Sequence, residues 1–212
     1  MAEYIRARSS EQKQERMMEI MQVTDQLFSS QTYHSITLTT IAASLGWSRG
    51  NLYKYVTTKE EIFLQLYLEK QQEYFEDLKS AFENKQNLSE KEFAKTWADT
   101  LDKHHDYLKY YGILATIIET NVTLERLVEF KKNVMIGITE VISIIKCQCN
   151  IEEVQASELF WTFLYHATGI NNACSSNPMV VEAMRIAGIP RFYDSFTNSL
   201  SQFIEMCLRN RL

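Results

Sequence analysis

The chain has 212 residues, a net charge of −5, 45% hydrophobic and 23% charged residues, and only six glycines and two prolines. Such a length is enough for a full hydrophobic core without disulfide or metal staples. The composition excludes a disordered or fibrous chain, and the scarcity of Gly and Pro excludes a fold of many short strands and tight turns. An all-α fold of about nine helices is expected.

Charge is distributed unevenly. Residues 1–59 carry Arg6, Arg8, Lys13, Arg16, Arg49, Lys54 and Lys59 against five acids, a balance of +2, whereas residues 60–212 carry 15 basic against 22 acidic side chains, a balance of −7. The N-terminal part is therefore the place to look for contact with a polyanion. Cys147, Cys149, Cys174 and Cys207 form no CxxC pair and no regular framework, which points to reduced thiols. The opening Met-Ala-Glu-Tyr-Ile-Arg lacks the apolar run of a signal peptide. The uncharged stretch 159–181 holds His166, Asn171, Asn172 and Pro178, too polar for a membrane span. A cytoplasmic protein with no membrane partner is expected.

In chain order, Ser9 and Gln12 have capping-box spacing, and Met17, Ile20, Met21, Thr24, Leu27 and Phe28 recur at helical intervals, predicting a helix over 10–30. Thr37 can cap a short second helix with Leu38, Ile41, Ala42 and Leu45 on one face, ended by Gly46. Ser48 can cap a third, on which Leu52 and Val56 share one side while Gly50, Asn51, Tyr53 and Lys54 face the other. Thr58 and Glu61 supply a capping box for a fourth helix running to about 83, with Ile62, Leu66 and Phe75 inward. Ser89 and Glu92 open a helix to about 107. A short helix over 113–122, a long one over 123–147 with Leu127, Phe130, Val134, Ile138, Val141 and Ile145 inward, and helices over 151–174 and 191–209 complete the set. The stretch holding Pro178, Gly188 and Pro190 reads as loop.

Two short helices joined by a turn at Gly46, the second burying an apolar side and presenting a polar one, form the arrangement of a helix-turn-helix reader of DNA. Arg49 and Lys54 can attract phosphates or donate to guanine edges, Tyr53 and Tyr55 can donate to phosphate, Asn51 can bond a base or a phosphate, and Gly50 lets backbone approach closely. Trp47 is expected to plug the core.

The segment TLTTIAASLGWSRGNLYKYVTTKEEIF (37–63) resembles the DNA-binding signature of the TetR family of transcriptional regulators. Matching positions are Thr37, Ile41, Ala42, Gly46, Ser48, Gly50, Leu52, Tyr53, Lys59 and Glu60. Leu45, Trp47 and Val56 depart from the usual residues but remain apolar. The resemblance implies a DNA-binding domain over 1–59 and a helical ligand-binding and dimerisation domain over 60–212, connected by the helix at 59–83. It further implies phosphate contacts from Thr37 and Thr39, entry of residues 48–54 into the major groove, and a clamp on the DNA backbone by Tyr53, Tyr55 and Lys59. A homodimer bound to a palindromic operator and released by a small apolar or aromatic ligand, most often a repressor, is the function it implies.

The C-terminal part is rich in aromatic residues. Trp97, Tyr111, Phe163, His166 and Asn171 are candidate ligand contacts, as an apolar pocket with a few placed polar groups would require. Phe160, Phe163, Ala167, Phe196, Leu200, Phe203 and Cys207 are candidates for a dimer's four-helix bundle. Adjacent His104 and His105 diverge by about 100° on a helix, a poor chelate, so no metal is expected and no cofactor. A helical enzyme is disfavoured, since no GxSxG, P-loop, HExxH or dinucleotide fingerprint is present. A protein that binds DNA without answering to a ligand is the remaining alternative.

Overall fold

The computed structural model describes residues 2–174, 178–190 and 195–210. Among the described residues ten α-helices follow one another: α1 (Ala2–Ser30), α2 (Leu38–Ser44), α3 (Arg49–Leu52), α4 (Lys59–Phe82), α5 (Glu90–Leu101), α6 (His105–Ile113), α7 (Leu124–Cys149), α8 (Glu153–Cys174), α9 (Pro178–Ile186) and α10 (Phe196–Asn210). A 3-10 turn spans Tyr33–Ser35, a π-helical stretch Leu114–Ile118 and a further 3-10 turn Glu119–Asn121. No strand occurs among the described residues, and the all-α expectation holds.

The chain forms two compact units. One comprises the chain up to Leu68 together with Leu114–Leu127, the other Glu69–Ile113 and the described chain from Val128 onward, so the boundaries fall inside α4, at the end of α6 and inside α7. In the first unit Ile20, Phe28, Ile36, Ile41, Leu52, Val56, Ile62 and Phe63 are buried, with Phe63 edge-on to both Phe28 (5.1 Å) and Tyr33 (5.0 Å). In the second, α7 buries Phe130, Val134, Ile138, Val141 and Ile145, the spacing read from the sequence, and α10 packs on α5 and α8. Gly137 is required there. A Cβ would stand 2.8 Å from the Phe75 ring of α4.

Several element boundaries differ from expectation, each for a physical reason. α1 starts at Ala2, so Ser9 lies within it rather than capping it. The helix opened by Ser89 stops at Leu101, because His104 turns aside to bring Nε2 within 3.0 Å of the Asp77 carboxylate and its ring against Tyr74. The stretch from Pro178 contains a helix, with Pro178 at its first position and Gly188 (φ +68°) closing it, where Ile189 N–H donates to the Met184 carbonyl at 3.0 Å. The expected start of the last helix at Arg191 lies outside the described residues, as does the Cys174 side chain. Cys147, Cys149 and Cys207 are free thiols.

Candidate nucleic-acid interface

The geometry of the first unit's polar face follows from local capping. Thr37 Oγ1 accepts from Thr40 N–H at 3.1 Å while Thr40 Oγ1 accepts from Thr37 N–H at 2.9 Å, a reciprocal cap that fixes where α2 begins. At the other end Gly46 adopts φ +68°. Its N–H donates to Ala43 O and that of Trp47 to Ala42 O at 2.8 Å, the paired bonds of a Schellman turn. Only a residue at ease in the left-handed region closes the helix so abruptly. Ser48 then accepts from Asn51 N–H at 3.2 Å and starts α3. After Leu52 the chain tightens, with Tyr55 N–H donating to Leu52 O, so α3 is one turn followed by a turn rather than the longer helix expected.

This short element buries Leu52 and Val56 and leaves Ser48, Arg49, Gly50, Tyr53 and Lys54 exposed, with Asn51 and Tyr55 half-buried and Thr37 and Thr39 exposed on α2. Nine of the ten residues picked from the sequence thus share the surface of α2, α3 and the turn that follows. Arg49 is oriented before any partner arrives: its Nη2 donates to the Tyr53 hydroxyl at 2.7 Å and its guanidinium lies 5.3 Å from that ring's centre. Gly50 has no φ that demands glycine, and a Cβ there would meet nothing within 4 Å. The fold itself does not require glycine at this position.

Lys59 is placed differently. Its ammonium donates to Tyr33 O (2.8 Å) and Ile36 O (2.7 Å) and sits 3.7 Å from the centre of the Tyr33 ring, with burial lowering its pKa. The Tyr33 hydroxyl bonds the Glu60 carboxylate, and burial followed by that bond raises its pKa well above the usual value. Trp47 is not the core plug expected. It is half-buried, 5.5 Å from the Arg16 guanidinium and 5.6 Å from the Tyr55 ring. Arg16 was not singled out from the sequence; a large aromatic residue at the turn, needing a partner, was the available signal.

In the second unit, Trp97 and Phe163 are fully buried and edge-on to each other at 5.5 Å, and the half-buried Tyr111 lies 6.4 Å from Tyr107. His166 stacks on Phe203 at 3.5 Å, burial lowering its pKa, and Asn171 Oδ1 lies 2.9 Å from His105 Nδ1. These five do not line either of two clefts in this unit. One, of about 420 Å³, is lined by Phe93, Gln148, Cys149, Leu159 and Leu208 among others, and the second lies between Lys79, Ser80, Glu83, Ile144 and Cys147. Of the residues expected at a dimer interface, Phe160, Phe163, Ala167, Phe196, Leu200 and Cys207 are buried within the single chain, and Phe203 is half-buried. Of these seven, Phe203 therefore has the most surface left to offer a partner. Among the described residues no group of three or more His, Cys, Asp or Glu is placed to hold a metal, and no single helix is long and apolar enough to cross a membrane.

Residues 20–66 match the family model for bacterial regulatory proteins of the tetR family, and residues 68–209 match a tetracyclin repressor-like C-terminal domain. No curated protein sequence matches the chain significantly. Among solved structures, a tetR-family bacterial regulatory protein from Rhodococcus RHA1 superposes with a TM-score of 0.60 at 15% identity, covering 91% of this chain and 95% of that one. The fatty acid degradation regulator FadR from Bacillus halodurans gives 0.58 at 16% identity, covering 91% and 94%. FadR from Bacillus subtilis, solved in complex with stearoyl-CoA, gives 0.55 at 17%, covering 92% and 98%. At such identities the likeness is one of fold, but the two family models together span nearly the whole chain: it belongs to the TetR family of transcriptional regulators, with an N-terminal DNA-binding helix-turn-helix.

Proposed function

We propose that this regulator is a cytoplasmic, non-enzymatic repressor that binds a palindromic operator as a homodimer and is released by a small apolar or aromatic ligand held in its C-terminal domain. The observation that carries the DNA-reading part is the exposed row of Ser48, Arg49, Gly50, Tyr53 and Lys54 above a buried Leu52 and Val56. In this reading Arg49 addresses a base edge, with Asn51 beside it, while Thr37, Thr39, Tyr53, Lys54 and Tyr55 hold phosphates and fix the register. Two-fold symmetry of the protein calls for half-sites about 34–36 Å apart. In this reading the C-terminal domain, residues 60–212, is where ligand and partner bind. It combines packed aromatic rings with buried polar groups such as Gln71, Thr100 and Asn171, the composition of a site for an apolar molecule with a few hydrogen-bonding atoms. A structural neighbour holds stearoyl-CoA, so acyl thioesters belong among the compounds to be tried.

The experiment is selection of bound DNA from a random library, followed by displacement of the recovered fragment with a panel of apolar, aromatic and acyl-CoA compounds. An inverted repeat and release by at least one compound are expected. Recovery of unrelated sequences, or of a single unrepeated site, would overturn the homodimeric operator reading; a repeat that no compound releases would leave a DNA binder without a ligand.

A further inference from the structure

We propose that Lys59 serves DNA recognition from inside the protein, as a positioning residue that ties the turn before α2 to the first turn of α4, and not as a contact to a phosphate. The inference rests on the operator-binding reading above.

An ammonium has three N–H donors and no acceptor. Two of the three from Lys59 are spent on the carbonyls of Tyr33 and Ile36, at 2.8 and 2.7 Å, and the charge faces the Tyr33 ring at 3.7 Å. The site is partly buried, so the ammonium has already exchanged much of its water for these partners. A compact point charge suits two converging carbonyls and a ring face, a role the planar fork of an arginine fits less well. Placing a cation in the first turn of a helix is unfavourable by itself, because the helix dipole is positive there. The carbonyls and the neighbouring Glu60 and Glu61 offset that cost.

What the tie holds matters for DNA. Lys59, Glu60 and Phe63, all on the first turns of α4, grip Tyr33 through its carbonyl, its hydroxyl and its ring. Ile36, whose carbonyl is the second acceptor, is fully buried and immediately precedes Thr37, the cap that sets the start of α2. From there α2 leads through the rigid Gly46 turn into α3. The position of the reading helix is therefore set through a chain of fixed joints that begins at Lys59. A 1 Å error at this joint would misplace Arg49 relative to a base edge while leaving every cation on the surface in place.

The test uses the full-length protein and an operator fragment recovered by selection, with the wild-type protein establishing that specific binding exists. Specific and non-specific affinities are measured over a salt series for wild type, Lys59→Met, Tyr33→Phe and the double variant, alongside hydrogen exchange of the amides in 37–54. For Lys59→Met, specific affinity should fall about tenfold or more, as expected for losing hydrogen bonds to a charged group. The salt slope should stay unchanged and exchange over 37–54 should quicken. Tyr33→Phe removes one hydroxyl and no charge; it should lower the ratio of specific to non-specific affinity by a few-fold, again with unchanged slope. Because both variants loosen one joint, the double variant should lose less than the product of the two factors. A phosphate contact predicts otherwise: Lys59→Met would reduce the slope by about 0.9 and leave exchange untouched. That result overturns the proposal, as would full specific affinity in Tyr33→Phe or a double variant whose losses multiply. If Lys59→Met fails to fold, Lys59→Arg decides the matter: it keeps the charge a phosphate needs but fits the two converging carbonyls less well, so lower specific affinity at unchanged slope supports the tie and full specific affinity overturns it.

Discussion

The residues proposed to serve DNA recognition are distinguished by what already occupies them. Arg49 and Lys59 are both cations near the reading surface, and charge alone does not tell them apart. Arg49 is exposed and leans on Tyr53, while Lys59 is bonded to carbonyls 23 and 26 residues away in sequence. The sequence reading gives both to DNA, and the partners of Lys59, being backbone atoms, leave no trace in residue identity. The cysteines show the same dependence on surroundings. Cys147 is exposed, whereas burial, helped by the nearby Glu90 carboxylate, pushes the Cys149 thiol up to about 11. At pH 8 only about one Cys149 in a thousand is then the reactive thiolate. Alkylation with iodoacetamide followed by peptide mass spectrometry should label Cys147 first and Cys149 appreciably only above about pH 10. Equal labelling of the two at neutral pH would contradict the placement of Cys149.

Where a helix end is governed by local chemistry, it was legible. Thr37, Ser48 and Ser89 cap the helices expected of them, and Gly46 closes α2. Where a tertiary contact decides, it was not: no local pattern reveals that His104 leaves the helix for Asp77 of α4. α9 differs for another reason: Pro178 and Gly188 read as loop residues, yet Pro at the first position and Gly after the last are the marks of a complete short helix. The cap of α5 makes a pH-dependent prediction. Glu92 accepts from the Ser89 hydroxyl at 2.6 Å and from its backbone N–H at 2.9 Å, and these bonds lower its pKa below the ordinary 4.5. A carboxylate whose pKa is lower folded than unfolded adds stability above the unfolded value, and that stability is lost as pH falls through the folded one. Ser89→Ala should lower the thermal midpoint by about 2–4 °C at neutral pH. The gap to wild type should narrow as the solution is acidified below 4.5. A gap that widens on acidification would mean the cap is not holding Glu92 in its charged form.

At the scale of the molecule, the all-α class, the position of the reading head and the periodic core of α7 were present in the sequence, because each follows from hydrophobic spacing or from the signature at 37–63. The partition of apolar residues between core and interface was not, since both look alike in one dimension. Phe160, Phe163 and Phe196 serve the core, and the outward side of α8 carries Trp161 and Tyr165, stacked at 5.9 Å, followed by Gly169, beyond which a Cβ would meet nothing within 4 Å. A flat pair of rings beside a small residue suits close approach by a second helix. The homodimer proposed above is therefore expected to use this side, with the exposed Met206 of α10. Tyr165 is 59% exposed in the single chain, so Tyr165→Asp should leave helicity and folding intact while shifting sedimentation from dimer to monomer and weakening operator binding. A dimer undisturbed by Tyr165→Asp would move the interface elsewhere.

The cluster of Arg16, Trp47 and Tyr55 gives the reading head its own optical signature. Of the three tryptophans in the chain, Trp47 alone belongs to the first unit, and it is half-buried, whereas Trp97 is sealed in the core of the second. An indole close to a guanidinium and a phenol changes colour and brightness when either neighbour shifts or when a polyanion displaces its water. Trp161 of α8 is half-buried as well, so in a Trp161→Phe background the red edge of the intrinsic emission, where the buried Trp97 contributes least, reports on the DNA-reading end of the molecule without any label being attached.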